Sequence, residues 1–176
     1  MYQNNILTVD REQWRANLPE ALHFAEDDPE PVFDSPSDAV VVALLQARYR
    51  ISTFHLGRPF LYKALQNPSA ATDNDLKMCS RALRFAMDWP LIWDRLRAMP
   101  NFMPLKYFCA GQLFGQLFIF NAFKNSTDER LRNALPNGYD LWCTRMLRYI
   151  TEFVGSSPTM AKNLELLSTL YQPKDT

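Results

Sequence analysis

Leu44-Leu45-Gln46-Ala47-Arg48-Tyr49 leads on to Gly57-Arg58-Pro59-Phe60-Leu61-Tyr62-Lys63-Ala64-Leu65, and this stretch decides the fold class. Across it Val40, Leu44, Ala47, Ile51 and Phe54 recur at alternating spacings of four and three. That is the period of a helix with one buried stripe, not the every-second-residue pattern of a half-buried strand. The helix is expected to start near Ser35 or Ser37, with Arg48, Ser52 and His55 on another face. Gly57 and Pro59 should end or kink it, because proline cannot donate to the carbonyl four residues back. Phe60 to Leu65 would add a further turn or two, closed by Asn67-Pro68.

Helical spacing recurs on both sides of this stretch, which predicts an all-α chain of about six main helices, an irregular multi-helix array or bundle. Upstream, Asp10 can cap a short helix carrying Trp14 and Leu18, which Pro19 interrupts or restarts. Glu26 to Asp38 holds six acidic residues and three prolines and reads as an exposed acidic linker within the domain. Downstream, Thr72-Asp73-Asn74-Asp75 resembles a capping box with Asp in place of Glu. The helix after it carries two apolar stripes: Leu76, Cys79, Leu83 and Ala86, then Ala82, Phe85, Trp89, Ile92 and Leu96. Pro90 should kink or break it. Pro104 suits the first position of a strongly apolar helix.

Tyr107 to Phe123, 17 residues, contains no charge. Gln112, Gln116 and Asn121 interrupt it, and its length is at the short limit for a bilayer, so it reads as the most interior helix of the domain rather than a membrane span. Asn125 to Gly138 is loop-like, with a helical turn at Glu129 to Ala134. A further helix aligns Tyr139, Trp142, Met146, Ile150 and Phe153 and stops at Gly155. Ser157-Pro158 then opens a last helix with Met160, Leu164, Leu167 and Tyr171 in line.

The chain's 176 residues fit a single domain with a sizeable core, 47% of them apolar and 13% aromatic. Nineteen basic and nineteen acidic residues cancel, which argues against a nucleic-acid surface spread over the whole domain. Met1-Tyr2-Gln3-Asn4-Asn5 lacks the features of an export signal, so Asn125-Ser126-Thr127 reads as a chance glycosylation triplet. Cys79, Cys109 and Cys143 are 30 and 34 residues apart and read as buried thiols in a reducing compartment.

The spacing supplies no metal motif. His23 and His55 are the only histidines, and each reads as a surface or helix-end residue. Asp27-Asp28 falls in the linker and Asp73-x-Asp75 at a helix start, where acids favour the exposed N–H groups. Val154-Gly155-Ser156-Ser157 is not a nucleophile elbow. No catalytic residue and no cofactor is therefore assigned. Arg48, Arg50 and Arg58, with His55 nearby, are the one local concentration of positive charge. They would meet an anionic effector or acidic partner, or else pair with the acidic linker or with solvent. Gly111-x-x-x-Gly115 would let another helix approach closely, or leave room for a small apolar ligand beside Phe114 and Phe118.

The order of these features resembles the C-terminal portion of the regulatory domain of fungal-specific transcription factors of the binuclear zinc cluster class. Trp14 precedes Leu18-Pro19. A helix with Arg48-Tyr49 and Arg58-Pro59-Phe60-Leu61-Tyr62 follows, then a helix with Cys79 and Trp89-Pro90, an apolar helix, and a last one from Ser157-Pro158 to Leu170-Tyr171. The resemblance covers the chain from about Trp14 to Tyr171. It implies a non-enzymatic transcription-regulatory module, nuclear unless it is a truncated remnant, acting on protein partners in the transcription machinery or on a full-length relative. It also implies a small-molecule effector; the candidate effector or partner surface is the local positive charge at Arg48, His55 and Arg58.

That family's DNA-binding module needs six close cysteines around two zinc ions, and three scattered ones cannot build it. Sequence-specific DNA binding by this chain is therefore not expected. Apolar surface left by absent upstream helices would favour a homodimer. The alternative is a small helical carrier of an apolar ligand, which needs only a cavity.

Overall fold

A computed structural model describes residues 10–25, 36–88, 103–152 and 157–171, with side chains of 36–40 and 103–106 left aside. Seven α-helices and no strand occur among these residues. They are α1 (10–16), α2 (Pro36–Gln66), α3 (Asp73–Asp88), α4 (Met103–Lys124), α5 (Glu129–Asn133), α6 (Tyr139–Thr151) and α7 (Pro158–Tyr171). The all-α multi-helix array read from the sequence is the architecture observed. The expected kink at Trp89-Pro90, the stop at Gly155 and most of the acidic linker lie outside the described residues. Pro36–Asp38, assigned to the end of that linker, opens α2.

Short-range capping sets the element boundaries. Thr72 and Asp75 form the anticipated box: the Asp75 N–H donates to Thr72 Oγ1 at 3.2 Å, and the Thr72 N–H donates to Asp75 Oδ2 at 2.8 Å. Two orphan donors of α3 are thereby satisfied. Asp128 caps α5 by accepting from the Arg130 N–H at 2.9 Å. Pro158 starts α7, with Ser157 Oγ accepting from the Met160 N–H. Pro19 restarts the chain as a 3-10 turn at Glu20–Leu22.

α2 is one helix of 31 residues and does not end at Gly57 or Pro59. An interior proline costs about 3 kcal/mol. Burial on both sides of it offsets that cost, since Phe54, Leu61 and Ala64 are all packed into the main core. The buried face of α2 is also not the expected stripe. Leu44, Ala47 and Ile51 are only half-buried, whereas Val42, Ala43, Gln46, Tyr49, Arg50 and Thr53 are buried. Apolar spacing alone missed this face because three of its residues are polar.

α2 packs chiefly on α3, while α4, α6 and α7 pack on one another, and α2 meets α4 more sparsely. The array is thus a helix pair beside a three-helix group. Directional bonds fasten the elements: Trp142 Nε1 donates to the Met87 carbonyl at 3.1 Å, and Tyr171 Oη donates to the Leu117 carbonyl at 2.7 Å. A smaller core of Phe24, Val42, Tyr49 and Phe85 lies apart from the main one. Beside it, the Tyr49 ring lies under Arg11 and Arg15, and its hydroxyl donates to Glu12 at 2.6 Å.

All three cysteines are free and buried. Burial pushes the Cys79 and Cys109 thiols up to about 12 and Cys143 to about 11, so they pack as small apolar groups.

Candidate functional cleft between two helices

α4 is apolar along its length and, among the described residues, has the largest buried share of any helix, but only one of its sides is covered. One side buries Leu113, Leu117, Phe120 and Phe123, while the other leaves Phe108 50% and Phe118 37% exposed. No helix among the described residues is long and apolar enough to cross a membrane. Gly111 and Gly115 lie on the exposed side, and a Cβ built at either meets nothing within 4 Å. Among the described residues, no neighbouring helix is seated on them, which corrects the close-packing use of the glycine pair.

The glycines instead lower one wall of a cleft of about 430 Å³ at the seam between α2 and α4. α2 contributes Phe54, Arg58 and Tyr62, and α4 contributes Gln112, Phe114 and Phe118. Phe114 and Phe118 meet edge to face with centroids 4.8 Å apart. The volume is of small-molecule size, and rings with a few polar groups are the usual lining of such sites.

Replacing Gly111 or Gly115 with alanine is expected to stabilise the fold by up to about 1 kcal/mol each, the helix-propensity gain with no steric cost. Urea unfolding checks this, and a loss of stability would mean that another element covers that face.

Among the described residues, Arg58 is the one cation of the cleft lining. Its Nε donates to Tyr62 Oη at 2.9 Å, Nη2 donates to the same hydroxyl, and Nη1 lies 3.4 Å from His55 Nδ1. All these acceptors are neutral, and no carboxylate pairs with Arg58 among the described residues. His55 lies mid-helix and half-buried, not at a helix end as expected. Burial first, and the Arg58 charge second, lower its pKa, against a contact with Gln112 that raises it. A neutral imidazole keeps Nδ1 available as the acceptor that Arg58 requires.

The structure splits the arginine cluster read from the sequence. Arg50 is buried in α2. Arg48 lines a second, smaller cleft of about 240 Å³ with Arg11, Trp14, Tyr49 and Ser52. Ten residues of helix place Arg58 ~15 Å along the axis from Arg48 and about a quarter-turn around it, so one small anion cannot bridge them. Tyr62 is four residues after Arg58, and the unbroken helix through Pro59, not expected from the sequence, makes them partners. Phe54 was visible only as a core residue, and Arg11 carried no signal linking it to Arg48.

Among the described residues, no group of three or more His, Cys, Asp or Glu side chains gathers to hold a metal ion. No protein-family model matches this chain, and comparison with curated proteins and with solved structures finds no match.

Proposed function

We propose that this chain is a non-catalytic, effector-responsive regulatory module of a transcription factor, of the kind found in fungal zinc-cluster regulators. It acts in the nucleus through protein contacts, and DNA binding comes from elsewhere. The ordered motifs from Trp14 to Tyr171 support the family reading. The observation that carries the regulatory reading is the α2–α4 cleft, a small-molecule-sized space between two helices that share the main core. A ligand that binds one arrangement of the two helices more tightly shifts the population toward it. Leu141, 77% exposed on α6, gives the three-helix group an apolar residue for a protein partner.

The test is to fuse the full chain to an unrelated DNA-binding domain in a yeast reporter strain. The expected result is an output several-fold different from that of the DNA-binding domain alone, altered again by Gly115→Leu, which fills the cleft. Unchanged output with the chain attached overturns the proposal. If the purified chain nevertheless binds apolar ligands in this cleft, the carrier reading replaces it.

A further inference from the structure

The chemistry of the cleft narrows what it can hold. Among the described residues, its lining contains one guanidinium and no acidic residue. Arg58 is held at three points, by Tyr62 and His55, yet none of those contacts neutralises it. The Arg58 guanidinium also lies 5.3 Å from the centre of the Tyr62 ring. A cation held in place without a counter-charge, beside Phe54, Phe114 and Phe118, is complementary to an anion with an apolar body. A single guanidinium with no lysine beside it suits a monoanion, since a phosphate dianion would leave about one charge uncompensated.

We infer that the α2–α4 cleft binds a small hydrophobic monocarboxylic acid, its carboxylate on Arg58 and its apolar body along Phe114 and Phe118 over Gly111 and Gly115. This rests on the effector reading above and adds the class of effector. The glycines have a direct part in it, because a larger side chain at either position would project into the space the apolar body occupies. Gln112, which also lines the cleft, supplies an amide that can hydrogen-bond the carboxylate's second oxygen or a substituent on the body. His55 is a positioning residue here: it holds Arg58 and does not line the cleft.

The test titrates the purified full chain with 2-naphthoate, 2-naphthamide and 2-naphthylmethylamine by calorimetry. The acid is expected to bind ~10-fold more tightly than the amide, and the amine more weakly still. Arg58→Gln should bring the acid down to the level of the amide, and Arg58→Lys should restore part of the difference. Gly115→Leu should abolish binding of all three, with unchanged helical circular dichroism showing that each variant is folded. Equal binding of acid and amide overturns the carboxylate assignment and leaves the effector cleft standing. Binding that survives Gly115→Leu places the ligand elsewhere and overturns the inference. So does no binding by the wild-type chain, and the reporter assay then decides separately whether the regulatory reading falls too.

Discussion

Gly57→Leu is expected to cost about 3 kcal/mol or more, a large part of the 5–15 kcal/mol that holds a typical domain together. Gly57 is buried at the contact of α2 with α3, where a Cβ would overlap the Ala82 Cβ and lie 3.5 Å from the Ala82 Cα. The obstacle is the first side-chain atom of a helical residue, which cannot swing aside, so the two helices must separate. They form the main packing contact of the helix pair, and buried neighbours on both would lose contact together. Gly57→Ala should also destabilise, by about 1–2 kcal/mol, because overpacking outweighs the roughly 1 kcal/mol gain in helix propensity. Pairing Gly57→Ala with Ala82→Gly should recover most of that loss. In urea unfolding, a double-mutant cycle should give a coupling of about 1 kcal/mol or more. Simple additivity of the two substitutions would show that the helices do not meet at this point.

Asp75→Ala is expected to cost about 2–3 kcal/mol, the second large effect, because this carboxylate closes several contacts at once. Oδ2 accepts from Lys63 Nζ at 2.7 Å, from the Thr72 N–H at 2.8 Å and from Thr72 Oγ1 at 2.7 Å. Asp75 is buried while Lys63 remains half-exposed, so losing the carboxylate removes the cap and the link from α2 without stranding a buried cation. Asp75→Asn keeps the shape and one acceptor and should cost about half as much.

The same contacts set a pH dependence. The Lys63 ammonium first, then the Thr72 backbone and hydroxyl, hold the carboxyl at about 2, below its ordinary 3.8, against burial that raises it. A carboxyl with a depressed folded-state pKa stabilises the fold above its unfolded pKa and loses that contribution as pH falls through the folded value. The contribution should therefore be full above about pH 4 and decline towards pH 2. Wild-type and Asp75→Asn urea midpoints should accordingly converge over that window. A constant gap between them would mean that the charge of Asp75 is not what stabilises α3.

The N-terminal box of α3 and the start of α7 were legible because each is closed by groups within three residues of one another. Thr72 needs only Asp75, and Ser157 needs only Met160. The buried thiols could likewise be read from their odd number and wide spacing. α2 was legible as a helix but not in its extent or its buried face. Proline chemistry at Pro59 argued for a break, and packing of Phe54, Leu61 and Ala64 around it overrode that local preference. The polar residues Gln46, Arg50 and Thr53 sit on the buried side, where a pattern of apolar residues could not find them.

For the cleft, the sequence singled out Arg58, His55, Gly111 and Gly115 but offered no reason to join the first two with the last two. Their union depends on α2 and α4 lying side by side, and the intervening residues say nothing of that. What the sequence alone determined is the all-helical class, most of the caps and the reactive groups available, since these follow from periodicity and from hydrogen bonds within a turn or two. The tertiary structure decided which face of each helix is covered, which glycine is crowded and which are open, and which cation meets which rings. Gly57 and Gly115 are the same residue type in the same kind of helix. One lies against Ala82 and the other faces an open cleft, because among the described residues only Gly57 has another helix packed within reach of a Cβ.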